Sequence, residues 1–291
     1  MRTAFVLTAI LVASSAPLAS GAPAATSEKL AAEKPPAEKP AAATEKPVGA
    51  EPAAEKPSAL AAKPDAPPKS DKPEYEPTSA YVPRQIEGWT VLVHHRLLAE
   101  EKELGDETLK LLGMHLYVVN RQVPKPALDR LHEVRIWVEA NNPKVACMCY
   151  HPSREWLAGH GFNPEKARSV ELGNPRNFID WTHHQWAMVL HELAHAYHHQ
   201  VLGYDNPDIK AAYKHAMDEK LYDSVLRYDG QKVKAYATTS DQEFFAELSE
   251  SYFSTNDFYP FVRAEVMQYD PRTFEMLKKV WGEPARQREK Q

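Results

Sequence analysis

Trp186-Ala-Met-Val-Leu-His191-Glu192-Leu-Ala-His195-Ala-Tyr-His198-His-Gln-Val-Leu202 is an apolar stretch carrying two histidines four residues apart. On an α-helix such residues lie about 40° from each other around the axis, so His191 and His195 project from one face, one turn apart. Two imidazoles so placed can reach a single Zn²⁺ at about 2.0–2.1 Å. Glu192 sits beside that position without binding the metal, where it can accept a proton from a water. Two histidines at this spacing can also be ordinary surface residues. Here Met188, Val189, Leu190, Leu193, Ala194 and Ala196 make the segment a largely buried helix, in which polar groups need partners. Metal binding supplies them, and this helix is the one around which the fold should be organised.

His-Glu-Leu-Ala-His is the H-E-x-x-H arrangement of zinc-dependent peptidases, which needs a third protein ligand and an open position. The extended form H-E-x-x-H-x-x-G-x-x-H is rejected, because position 198 is His and position 201 is Val. The other common solution takes a Glu from a later helix. Ser240-Asp-Gln-Glu243-Phe-Phe-Ala-Glu247 offers two, Glu243 and Glu247, on one helix face. One can bind the metal while the other steadies a ligand histidine from behind. Ser240-x-x-Glu243 is also a capping-box pattern, on which Glu243 would satisfy backbone donors and Glu247 would be the ligand. His198 falls near the ligand face, about −20° from His191 but about 10 Å along the axis. At that distance it reads as a partner deeper in the helix packing, with a fourth ligand closing an inactive site as the alternative. His183, His184 and His199 read as solvated or capping residues.

Around this helix, Trp89-Thr-Val-Leu-Val-His94 reads as a strand, 105–120 as a helix closed by Pro124, and 132–139 as a half-buried strand. The segment 147–150 is a third strand or its edge, and 153–161 a short helical turn. The segment 167–172 is a short strand, expected at the sheet edge, where it could pair with an extended substrate backbone. The metal helix is expected over 182–202, with Gly203 in the C-cap place. A polar helix over 207–227, the segment 233–237, and helices over 241–254 and 271–281 complete the pattern. Strands first and helices after predict an α+β fold.

The chain opens with Arg2 and an apolar run from Ala4 to Ala13, followed by small residues to about Gly21. These features predict a signal peptide over 1–21, too short to span a bilayer of about 30 Å. No Cys precedes Cys147, which excludes a lipid-modified N-terminal Cys; the protein is expected to be secreted or periplasmic. Residues 22–85 hold 13 of the 24 prolines, with Glu-Lys-Pro recurring at 33–35, 38–40, 45–47 and 55–57. Such a segment cannot bury enough apolar area to offset its ordering entropy, so it reads as an extended, disordered linker, with contact to cell-surface or wall material as the functional alternative. Residues 86–291 form one catalytic-sized unit carrying all 13 His and all six Trp. The chain's net charge of −5 argues against a nucleic-acid partner. Cys147 and Cys149, two apart in an extended run, should point to one face and read as small buried hydrophobes rather than a metal clip.

Residues 180–260 resemble the glutamate-type zinc peptidases (gluzincins), and within them the catalytic domain of anthrax lethal factor and its relatives. His191-Glu-Leu-Ala-His195, Glu243-Phe-Phe-Ala-Glu247, and Tyr236 seven residues before Glu243 carry the resemblance. It implies a zincin-like domain with a small N-terminal sheet, an active-site helix and a helical C-terminal part. It further implies His191, His195 and Glu243 as Zn²⁺ ligands, Glu192 as general base, and Tyr236 as oxyanion stabiliser or proton donor. The implied activity is hydrolysis of peptide bonds in a peptide or protein substrate. The Pro-rich segment lies outside the resemblance. Two other readings share these residues: a non-catalytic zinc-binding module on an extended arm, and a hydrolase of a non-peptide amide.

Overall fold

The computed structural model describes residues 75–283. The signal-peptide reading, and the linker reading up to residue 74, lie outside the described residues. The chain begins its sheet with a hairpin, β1 (Tyr81–Ile86) and β2 (Trp89–His94), paired antiparallel in register from Tyr81↔His94 to Ile86↔Trp89. Glu87 (φ 51°) and Gly88 (φ 98°) make the two-residue turn, both with the positive φ that matches strand twist. A side chain at Gly88 would also meet the His132 ring at 2.8 Å. The sheet therefore starts ahead of the boundary expected at 86. Pro83 disguises this strand, and it is tolerated because β1 is an edge.

Helices α1 (His95–Ala99), α2 (Lys102–Gln122) and α3 (Lys125–Leu131) follow. Pro126 lies in the first turn of α3, where a missing N–H costs nothing, so Pro124 introduces a helix as well as closing one. The strand expected over 132–139 is reduced to β3 (Ile136–Val138), because His132 caps α3 and the chain turns after it. It is buried on both faces rather than one. Parallel neighbours on either side, each covered by other elements, leave no solvated face.

The remaining elements of the sheet are β4 (Met148–His151) and β5 (Ser169–Leu172), joined through α4 (Arg154–Gly159). Strand order is β1-β2-β3-β5-β4: β2, β3 and β5 run parallel, and β1 and β4 are antiparallel edges. The 167–172 strand is thus interior, contrary to the sequence reading, and among the described residues β4 is the outermost strand on that side. The fold is mixed α+β with a small mixed sheet.

After α5 (Pro175–Trp181), the helix expected from 182 begins only at Met188, since 182–187 is spent in turns. This α6 (Met188–Tyr197) continues into a wider π-type turn, His198–Leu202, ended by Gly203 at φ 77°. α7 (Pro207–Asp218) is capped by Asn206 and stops well before the expected 227. The missing part holds β6 (Val225–Leu226), paired with β7 (Lys232–Val233). Residues 236–238 form a 3-10 turn. α8 (Asp241–Phe253), α9 (Arg263–Tyr269) and α10 (Pro271–Trp281) finish the chain, and the sequence reading lacked α9. One core, from Trp89 and Val91 through Leu193 and Ala194 to Phe244 and Trp281, joins the sheet to α6 and α8.

On the other sheet face lies a buried polar network. Lys166 (3% exposed) pairs with Glu139 and, at 2.7 Å, with Glu171, while Tyr81 donates to Glu139. Burial lowers the lysine's proton affinity, but the two carboxylates outweigh it and hold the ammonium charged. Lys166→Met should leave two buried carboxylates facing each other without a cation. We expect a loss of about 3–5 kcal/mol in urea unfolding; a loss under about 1 kcal/mol would show that the network is dispensable.

Candidate metal centre

α6 and α8 pack face to face, and the ligand candidates lie between them. Ser240 caps α8 by accepting from the Glu243 N–H at 3.1 Å. The Glu243 carboxylate reaches His191 Nε2 at 3.1 Å and His195 Nε2 at 3.3 Å, so the serine caps and the glutamate faces the histidines. The two Nε2 atoms are themselves 3.1 Å apart. Ligands bound to Zn²⁺ at 2.0–2.1 Å in a tetrahedron stand about 3.3 Å from each other. The three donor atoms match that triangle.

The protons point the same way. His191 Nδ1 lies 2.7 Å from Glu250 Oε1, a donor's position on the ring. A neutral ring donating there presents only a lone pair at Nε2, and that lone pair faces a carboxylate oxygen. A cation between the three atoms converts this repulsion into attraction. Without a metal, burial pushes the Glu243 carboxyl up, but protonated His195 and His191 beside it outweigh burial and hold it below the usual carboxylate range; a bound cation takes over that part with both rings neutral. An ionised carboxylate and two imidazoles form the donor set that suits Zn²⁺.

Glu250 is a site residue that the sequence reading lacked. Residues 243–253 of α8 are all buried, so its carboxylates need partners within the protein. Glu243, Glu247 and Glu250 follow one another at spacings of four and three on a single face. Glu247 Oε1 is 3.5 Å from His191 Nδ1, farther than Glu250. The expected role of Glu247 behind the histidine is thus shared with Glu250, whose contact is the shorter one.

Glu192 and Tyr236 line the cleft that exposes His191, His195 and Glu243, the tyrosine entering from the 236–238 turn just before α8. Cys147 to Tyr150, the first residues of β4 and the one before it, also line the cleft. The two cysteines part company rather than sharing a face: Cys147 precedes the strand and its Sγ meets Met188 Sδ at 3.2 Å, whereas Cys149 faces His151.

His198 does not join the donor group. It is fully buried, with its ring 4.9 Å from that of Phe245 and 5.1 Å from that of Tyr204. Neither ring nitrogen has a hydrogen-bond partner among the described residues. Burial first, then the neighbouring His195, pushes the imidazole down to about 3. The unfolded chain takes up this proton below about 6.5, the folded protein only near 3. Stability from this residue is therefore complete above pH 6.5 and falls by about 1.4 kcal/mol per unit below it. His198→Leu should reduce the stability lost between pH 7 and pH 5 by about 2 kcal/mol in urea unfolding. Equal acid losses in both proteins would refute the assignment.

No family model matches the chain, and no curated protein or solved structure matches it either.

Proposed function

We propose that the chain is an exported zinc-dependent metallopeptidase with a zincin-like domain, acting on peptide or protein substrates. One observation carries the reading: two imidazole nitrogens and a carboxylate oxygen from two helices stand 3.1, 3.1 and 3.3 Å apart, in a cleft that also holds Glu192 and Tyr236. His191, His195 and Glu243 would hold the metal. Zn²⁺ bound there supplies a Lewis acid that polarises a carbonyl and makes water nucleophilic near neutral pH.

The chain's own groups do the rest. Glu192 accepts the proton of the attacking water and hands it to the leaving amine. The Tyr236 hydroxyl donates to the oxyanion that develops on the substrate carbonyl, a contribution of about 2.7–4 kcal/mol per donor in comparable sites. Glu250 and Glu247 keep the His191 ring turned towards Glu243. Among the described residues β4 is the outermost strand of the sheet, along which an extended peptide can pair, a role the sequence reading assigned to 167–172. Among the described residues no helix is long and apolar enough to cross a membrane, and the expected export signal lies in 1–21.

Metal analysis and peptide-library digestion of the purified full chain test the reading. About one zinc should be lost in His191→Ala and in His195→Ala, and library cleavage should vanish with it. Full zinc occupancy in both variants would remove the centre, and an uncleaved library with zinc bound would remove the peptidase.

A further inference from the structure

A second group of ligand atoms converges on the other face of β4 and β5. Met148, Tyr150, Val170 and Leu172 point into the main core. By strand alternation Cys149, His151 and Glu171 point the opposite way. Glu171 is the cross-strand neighbour of Cys149, so the register gathers thiol, imidazole and carboxylate at one place. Cys149 Sγ is 3.5 Å from His151 Nε2, and Glu171 Oε2 is 2.6 Å from the same nitrogen. His151 and Glu171 are buried and Cys149 is half-buried, so the three ligand atoms are largely shielded from solvent.

These three are not a nucleophile with its base. A base must face the thiol with one ring nitrogen and the orienting carboxylate with the other. Here a single nitrogen faces both, as in a shared coordination point. The carboxylate is held the way a metal ligand is held. Its Oε1 accepts from Asn142 Nδ2 and Lys166 Nζ, both at 2.7 Å, which leaves Oε2 for the centre of the group. Zn–S of about 2.3 Å and Zn–N of about 2.0–2.1 Å in a tetrahedron separate the two ligands by about 3.5 Å, the spacing found between Cys149 and His151. The nitrogen–oxygen pair would open by about 0.7 Å as its hydrogen bond gives way to two metal bonds. Charge also balances: a Cys149 thiolate, Glu139 and Glu171 against Lys166 leave two negative charges for a divalent ion.

We infer that Cys149, His151 and Glu171 form a separate metal site for a thiophilic divalent cation such as Zn²⁺ or Co²⁺, joining the edge strand β4 to β5 on the sheet face away from the main core. A thiolate ligand favours these ions over Mg²⁺ and Ca²⁺. Binding displaces the thiol proton to solvent. The inference does not depend on the function proposed for the His191 centre, whose donors contain no sulfur.

Cobalt titration of the metal-free, reduced full chain separates the two. Co²⁺ at Cys149 should give a near-ultraviolet thiolate-to-cobalt charge-transfer band, which a two-histidine, one-glutamate site cannot give. The wild type should bind two equivalents and show the band. Cys149→Ser and His151→Ala should each lose one equivalent, the serine variant losing the band as well, while His191→Ala/His195→Ala should retain it. Absence of the band in the wild type overturns the site whatever the variants do. So does a band that survives Cys149→Ser and is lost in Cys147→Ser. Should the His191 centre fail to bind, the band at one equivalent would still uphold this site.

Discussion

Glu192→Gln is expected to keep its metal and to lose hydrolysis by about 100- to 10,000-fold, the contribution of a positioned general base. The amide has the size of the carboxylate and fits the same place on α6, one residue after His191. It cannot accept a proton from water, nor carry one to the leaving amine. Glu192 is also absent from the three-atom donor group, so zinc content should stay at the wild-type level. Measuring kcat/KM on a cleaved peptide together with zinc stoichiometry separates the two effects. A variant that hydrolyses at the wild-type rate would show that another group is the base. Loss of zinc along with activity would place Glu192 in the coordination instead.

The helical part of the site was legible because one periodicity carries it. His191 and His195 at a spacing of four, inside an apolar helix, predict a shared face, and their Nε2 atoms do meet. Ser240 as the cap of α8 follows from local chemistry alone, and it holds. Local chemistry does not say where the capping glutamate turns its carboxylate; that is decided by α6 packing across α8, a contact between residues some 50 positions apart. Glu250 was missed for a related reason. Its spacing marks the same face as Glu243, but only the interhelical distance shows that a side chain one turn beyond Glu247 lands on His191 Nδ1.

The sheet was less legible, because strand order is not written in any one strand. Ser169–Leu172 is short, apolar and bounded by turns, which fits an edge or an interior equally. Its neighbours β3 and β4 decide the matter. Pro83 hid β1, and the run 132–139 exaggerated β3, because alternation continued through residues that the end of α3 claims for a turn. Cys149 and His151 stand two residues apart on one strand face, but their meeting with Glu171 depends on the antiparallel register of β4 and β5, which no sequence spacing shows.

The three glutamates of α8 should separate by the atom each one touches. Glu243→Ala removes an oxygen 3.1 Å from His191 Nε2 and 3.3 Å from His195 Nε2, so a direct metal bond goes, and zinc affinity should fall by more than the roughly 100-fold that loss of an outer partner costs. Glu250→Ala removes the acceptor 2.7 Å from His191 Nδ1 and should cost about 10–100-fold, because the ring loses its orientation and part of its basicity while remaining a ligand. Glu247→Ala should cost less than Glu250→Ala, since its oxygen stands 3.5 Å from the same nitrogen. Truncation of a buried acid also disturbs packing, so Glu250→Gln is the control: it keeps the size and an acceptor for the ring N–H but not the charge, so affinity should recover only in part, whereas a purely steric effect would restore it fully. Competition with a zinc chelator at fixed pH, with a thermal melt on each variant, reads affinity apart from folding. If Glu247→Ala releases zinc while Glu243→Ala retains it, Glu243 is a helix-capping acid and the coordination has been assigned one turn too early. If all three variants bind zinc as the wild type does, the metal is held elsewhere, and the triangle of His191, His195 and Glu243 is a hydrogen-bonded cluster between two helices.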